Sequence, residues 1–201
     1  MEITKDLLKK VTHLRFLLTL LNQEKMEAKM SDLDLIKQLE KEIGREIKKR
    51  DFEKIMEYEQ RGFTIDENGN VIGLNLDEIT LGPLPSSLSK FRHLKKLSLH
   101  GTKITDISYL QGLSNLTELY LGANHITDIS VLQGLSNLTH LYLGSNQITD
   151  FSSLKGLNSL THLQQYKNGK AFITVVLGYS NSAVALCFFL TFNFVFNQFN
   201  Q

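Results

Sequence analysis

The sequence predicts an α/β solenoid, a stack of short parallel strands closed at its N-terminal end by helices. Three observations predict it. One unit recurs at a spacing of 22 residues between Leu94 and Asn168. Inside each unit, leucines alternate with polar residues over a few positions, the period-two pattern of a strand with one buried face. Residues 1–62 are different material: charged, almost free of Gly and Pro, and apolar at helical spacing. A strand that short cannot bury its leucines alone, so stacked copies must share one continuous core.

The N-terminal region, residues 1–62, comes first. Leu7, Val11, Leu14, Leu18 and Leu21 alternate spacings of four and three, which draws an apolar stripe along a first helix. The stripe covers about two heptads before Lys25, fewer than the three or four a coiled coil needs, so packing inside the chain is the expectation over dimerisation. Ser31 is placed to cap a second helix carrying Leu35, Leu39, Ile43 and Ile47. Phe52, Ile55 and Met56 begin a third short helix ending near Gly62. A secretion signal does not fit: the apolar run 16–21 is short, Glu2 and Asp6 interrupt the basic flank, and no small-residue cleavage site follows.

The solenoid is expected over residues 63–170. DENGN at 66–70 is a turn with Gly69 at positive φ, linking a segment at 63–65 to a strand at 71–76. In register, the units read LKKLSLHGTKI from Leu94, LTELYLGANHI from Leu116, LTHLYLGSNQI from Leu138 and LTHLQQYKNGK from Leu160, with VIGLNLDEITL from Val71 as a forerunner. Asn124, Asn146 and Asn168 fall where strand bends into turn, and a short amide there can pair backbone groups the bend leaves open. Thr102 takes that place in the first full unit with one hydroxyl. The return segments carry Ile107, Leu110 and Leu113, repeated as Ile129, Leu132 and Leu135 and as Phe151, Leu154 and Leu157, a spacing of three that suits 3₁₀ turns. Asp106, Asp128 and Asp150 are expected to cap those turns, and Gly112, Gly134 and Gly156 to release the chain toward the next strand. One carboxylate per unit falls far short of the oxygen ligands calcium requires.

The unit resembles the leucine-rich repeat, L-x-x-L-x-L-x-x-N at a period of 20–29 residues. Over 71–168 it is similar to the 22-residue class of bacterial internalins and of phosphatase-regulating scaffold proteins. GPLPSSLSKFRHL at 82–94 looks more like the LP-x-x-[LI] variant of other leucine-rich repeat proteins. The resemblance implies a horseshoe with a helical N-terminal cap and a protein-binding module without chemistry of its own.

The tail, 171–201, is the odd part, since no charged residue follows Lys170. Gln165 and Lys170 already break the repeat at its third-leucine and isoleucine positions. Three readings stand: an end cap covering the last repeat's apolar edge, a membrane segment within 171–196, and a truncated end without a role. Ser180, Asn181 and Ser182 burden the membrane reading, and alternation of Phe192, Phe194 and Phe196 with neighbouring residues suits a strand.

Composition excludes more than it selects. A chain of 201 residues, 42% hydrophobic with a formal charge of +1, is neither disordered nor built for polyanions, and its basic clusters at 48–50 and 95–96 lack any nucleic-acid motif. The single Cys187 points to a reducing, cytoplasmic setting, with membrane attachment as the alternative. No nucleophile with its base, no acid–base pair and no phosphate loop is visible, so no enzyme and no cofactor are expected. The expected site is the concave strand face, which takes up an unidentified protein. Its outward residues are Lys96, His100, Glu118, Tyr120, His140, Tyr142, His162 and, displaced to a neighbouring column, Tyr166. Tyrosine buries a ring while its hydroxyl finds a partner, although stacked tyrosines on a solvated sheet need no ligand. His140, His162 and Glu118 share a column, but three collinear side chains converge poorly on a tetrahedral ion, so no metal is expected. A repeat fragment without a ligand, or a small enzyme or effector using the helical region, are the remaining readings.

Overall fold

The computed structural model describes residues 10–19, 30–57, 60–167 and 170–176, with 166–167 and 170–176 described by backbone alone. One seven-stranded sheet runs in chain order: β1 (Gly62–Ile65), β2 (Val71–Asn75), β3 (Lys96–Ser98), β4 (Glu118–Tyr120), β5 (His140–Tyr142), β6 (His162–Lys167) and β7 (Lys170–Val176). The five strands β2 to β6 are parallel, and an antiparallel pair closes each end. Such a ladder of parallel strands joined by 3₁₀ return turns is a leucine-rich repeat solenoid with a helical N-terminal cap.

The register follows from the leucines. Leu74, Leu97, Leu119, Leu141 and Leu163 pair across adjacent strands and are at most 3% exposed. Leu99, Leu121 and Leu143, one pleat further on, are buried as well. The return turns at Ser108–Leu110, Ser130–Gly134 and Ser152–Gly156 bury Leu110, Leu132 and Leu154 against the same core. Every leucine deletion in this stack therefore opens a cavity shared by two repeats.

Asparagine fixes the bend. Asn124 Nδ2 donates to the Leu99 and Leu121 carbonyls at 2.7 and 2.9 Å, while its Oδ1 accepts from Ile104 N and from the Thr102 hydroxyl. Asn146 repeats the pattern with Leu121 O at 2.8 Å, Leu143 O at 3.0 Å and Ile126 N. Asn168 lies outside the described residues. A second amide row was not anticipated: Asn115 Nδ2 donates to Arg92 O and Asn137 Nδ2 to Ser114 O, each reaching back one repeat.

The turns differ from expectation in two ways. Asp106, Asp128 and Asp150 each accept the N–H of the serine two residues on at 2.8 Å, but from one place before the residue that caps the turn, Ile107, Ile129 or Phe151. Of the three return-turn glycines only Gly112 has positive φ, at +88°. The left-handed residue recurs elsewhere, at the eighth position of the first four units: Glu78, Gly101, Ala123 and Ser145, with φ between +55° and +67°.

The N-terminal region supplies α1, helical over 10–19, and α2 (Asp32–Ile43). Ser31 and Asp34 form a capping box at the start of α2, and Gly44 at φ +66° ends it. The helix therefore stops before Ile47, which is buried in the core from a following extended segment. Residues 52–56 form turns rather than a third helix, and Gly62 opens β1. Leu35, Ile36 and Leu39 join the repeat core, and Asp32 Oδ2 accepts from Val71 N at 2.7 Å. Leu14 and Leu18 of α1 are more than 60% exposed, so among the described residues of that stripe the expected packing inside the chain is not found. The hairpin at 66–70 forms with Gly69 at φ +82° and Asp66 accepting from Asn68 N and Asn70 N, both at 2.9 Å.

At the other end β7 pairs antiparallel with β6, from His162↔Val176 to Lys167↔Lys170. Residues 177–201, and with them most of the segment weighed as a cap or a membrane span, lie outside the described residues. Among the described residues no helix is long and apolar enough to cross a membrane.

The backbone predicts opposite signs at similar small residues. Ala123→Gly relieves a left-handed alanine and should raise stability by about 0.5–1 kcal/mol. Gly134, with no atom within 4 Å of an added Cβ, should gain a similar amount as Gly134→Ala, whereas Gly112→Ala should lose stability. Urea midpoints of the three variants decide, and a loss on Ala123→Gly would contradict the strain.

Candidate functional site

The sheet's open face is set by the register just described. Lys96, Glu118, His140 and His162 stand in one column, and Ser98, Tyr120, Tyr142 and Gln164 in the next. Adjacent parallel strands lie about 4.8 Å apart, so side chains in a column touch. Tyr120 and Tyr142 stack with ring centroids 4.3 Å apart and planes 7° from parallel. His140 and His162 stack at 4.2 Å and 6°. Six of the eight outward residues expected from the sequence stand in these two columns, and His100 follows two residues beyond the end of β3. Tyr166 contributes backbone to β6, and its side chain falls outside the described residues.

Polar contacts knit the columns together. Lys96 Nζ stands 3.2 Å from Glu118 Oε1, and the Tyr120 hydroxyl donates to Glu118 Oε2 at 3.2 Å. Glu118 therefore has one oxygen committed to each column. His100 is exposed and its ring lies over Gly122, where an added Cβ would stand 2.8 Å from Nδ1. That close approach is a reason for glycine at 122 beyond repeat geometry.

Several residues that shape the face escaped the sequence reading. Asp77 accepts the Ser98 hydroxyl and, at 3.0 Å, the His100 N–H. Phe52 lies beneath the Lys96 ammonium at 4.6 Å, and Ile55 covers Gly73 at the head of the column. Asn75 is fully buried and donates to Ile55 O at 2.8 Å. The N-terminal region thus closes the face on the β2 side, so the open part begins at Lys96. Asp77 was legible as the seventh position of the forerunner unit. The Phe52 contact was not, because nothing in a pairwise pattern brings a turn onto a strand.

Electrostatics keep the face neutral where it is aromatic. Burial pushes the Tyr120 hydroxyl far above the ordinary tyrosine range, with the Glu118 charge and Tyr142 acting in the same direction. Burial also lowers His140, helped by His162 and Lys96 and opposed by Glu118. Among the described residues no three His, Cys, Asp or Glu side chains are placed to hold a metal ion. Stacked imidazoles direct their lone pairs in parallel rather than at one point, which is the geometric reason the His–His–Glu column makes a poor chelate.

Residues 92–134 match the family model described as leucine-rich repeats in two copies. The two matched copies fall within the run of 22-residue units of this chain. An internalin (inlF) from Listeria monocytogenes is 36% identical over 47% of this chain and 30% of its own, with a TM-score of 0.44. Internalin C2 from the same organism is 36% identical over 53% of this chain and 50% of its own, with a TM-score of 0.44. The Arabidopsis receptor kinase HAESA, solved in complex with the peptide hormone IDA and the co-receptor SERK1, is 28% identical over 52% of this chain and 19% of its own, with a TM-score of 0.46. The chain thus spans half or less of each of these proteins. No curated protein matches it.

The lowered His140 value has a consequence for stability. A folded state that favours the neutral ring binds fewer protons than the unfolded chain, so stability rises with pH across the interval between the two values. The contribution is complete above the ordinary value of 6.5 and is lost as pH falls through the lowered folded value. Urea midpoints at pH 7.5 and 5.0 should fall on acidification in the parent chain and fall less in His140→Gln. Equal losses would show that His140 is not responsible.

Proposed function

We propose that this chain is a non-catalytic interaction module that takes up a protein partner on its open sheet face. The Tyr120–Tyr142 stack carries the proposal. Two rings are held half-buried on a rigid parallel sheet, beside a polar column and clear of the N-terminal cap. Such rings present apolar area at low entropic cost, with hydroxyls for specificity, as interface anchors do. Glu118 and Lys96 form the polar rim, and His100 extends it past Gly122. The repeat fold supports the reading, because repeat solenoids are commonly binding surfaces. The cytoplasm is the proposed setting, on the strength of a single cysteine.

Affinity capture with the intact chain tests the site. Tyr120→Ala/Tyr142→Ala should lose a defined partner that Tyr109→Ala retains, since Tyr109 is exposed on a return turn away from the sheet face. A partner list unchanged by the double substitution would remove the sheet face from the proposal.

A second reading has its own support in the run without charge after Lys170: attachment to a membrane through 171–196. Full-length protein recovered from the carbonate-washed membrane fraction, and released only by detergent, is the result that reading requires. Recovery from the supernatant without detergent would leave the unanchored module.

A further inference from the structure

A threonine precedes Glu118, His140 and His162 in the first column, and its hydroxyl fixes the protonation pattern of the two histidines. Thr117, Thr139 and Thr161 send their hydroxyls one repeat back, to the carbonyls of Lys95, Thr117 and Thr139 at 3.1, 2.9 and 3.0 Å. Thr139 Oγ1 also lies 2.9 Å from His140 Nδ1, and Thr161 Oγ1 lies 2.9 Å from His162 Nδ1. A hydroxyl has one proton, and a carbonyl oxygen can only accept. Each of those carbonyls also accepts the N–H groups of the threonine and of the residue after it, and if the hydroxyl proton went to Nδ1 the threonine oxygen would stand at hydrogen-bond distance from the carbonyl with no proton between them. Both contacts are satisfied only when the hydroxyl donates to the carbonyl and Nδ1–H donates to the hydroxyl. Each neutral ring is then the Nδ1–H tautomer, and each Nε2 is a bare acceptor on the far side of the ring from the backbone.

The two rings are parallel within 6° and 4.2 Å apart, so their Nε2 atoms stand side by side at about that spacing. Neither Nε2 has a partner among the described residues. Parallel lone pairs do not meet at a metal, but a donor with two divergent N–H bonds spans them. An ammonium nitrogen about 2.9 Å from both would subtend an angle of about 90°, near the tetrahedral spread of its hydrogens. Among the described side chains, those facing the pair are Glu118, next in the column, with Lys96 beyond it, and Tyr120, Tyr142 and Gln164 alongside. Glu118 keeps its carboxylate one strand from His140, which favours a cation there. Its ion pair with Lys96 holds that lysine at the opposite side, 3.2 Å away. Burial of His140 favours the neutral ring that the acceptor role needs.

We propose that the His140–His162 pair is an acceptor clamp for a lysine ammonium presented by a protein partner, bridged between the two Nε2 atoms. The assignment rests on the interaction-module reading above and adds the chemistry of the partner at this column: a basic side chain, set beside the tyrosine anchors.

The test uses the full ¹⁵N-labelled chain at pH 8, where an ordinary histidine is neutral. Long-range ¹H–¹⁵N correlation should show both rings protonated at Nδ1 and unprotonated at Nε2. Titration with Nα-acetyl-lysine amide should move both Nε2 signals together and saturably, in the millimolar range. The trimethylammonium analogue, which has the charge but no N–H, should leave them in place. His162→Gln should weaken the response at His140 about tenfold, the equivalent of one lost hydrogen bond. An Nε2–H tautomer overturns the proposal, as does a flat lysine titration or an equal response to the trimethylated analogue. A response to acetate, or to zinc chloride alone in place of the amine, also overturns it. Partner capture that still depends on Tyr120 and Tyr142 while the amine titration is flat would leave the module standing and remove only the clamp.

Discussion

The amide of Asn124 holds two successive repeats at one height, and the sheet face inherits its order from that contact. Its two N–H groups reach a carbonyl of its own strand and one of the strand before, while its oxygen takes a backbone N–H from the preceding return segment. Asn146 does the same one repeat later. Each bend would otherwise bury backbone groups with nothing to bond, at a cost of about 1–3 kcal/mol apiece. Because one side chain satisfies groups from two repeats, it also sets their spacing, and the leucines pair Leu119 to Leu141 without slip. A slip of one residue would turn every buried leucine outward.

Once that register exists, outward residues of like position are forced into contact. This explains why the face is organised as columns and why its electrostatics are collective. Tyr120 is perturbed first by its burial in the stack, then by the carboxylate beside it and the ring it stacks on, and His140 first by burial and then by the ring of the next strand. Neither residue would behave so on an isolated strand. Neutral aromatic rings are held face to face along the sheet, and a surface pre-organised in that way lowers the entropy lost when a partner docks.

The ends of the solenoid obey a different constraint. An internal repeat meets a copy of itself on both sides, whereas a terminal one exposes leucines and open strand edges. At the N-terminal end α2 covers the core while the β1–β2 hairpin supplies the missing edge, and acidic side chains of α2 accept backbone N–H groups: Asp32 from Val71, and Glu42 from Ser87. The same region reaches onto the sheet face through Phe52 and Ile55, so the cap also sets where the accessible surface starts. At the other end β7 reverses direction against β6, ending the parallel ladder where Gln165 and Lys170 depart from the repeat.

The sequence by itself determined the repeat, its strand and turn positions, the buried leucines and the identity of the facing columns. All of these follow from short-range periodicity, because residues 22 apart in a solenoid are neighbours in space. It also determined the Ser31 cap and the positive φ of Gly69, which depend on adjacent residues alone. Tertiary structure decided the rest. α2 ends at Gly44 and not beyond Ile47, because Ile47 reaches the core from an extended segment that local apolar spacing mistakes for helix. The left-handed position that recurs falls on Ala123 and Ser145, with Gly112 alone among the return-turn glycines at positive φ, because the bend into the asparagine demands that conformation whatever residue occupies it. Whether two histidines in a column chelate or stack depends on ring orientation, and that is set by threonine hydroxyls bound to carbonyls one repeat away. Periodicity fixes which side chains meet, but the atoms they present to each other depend on hydrogen bonds that close only when the whole stack has formed.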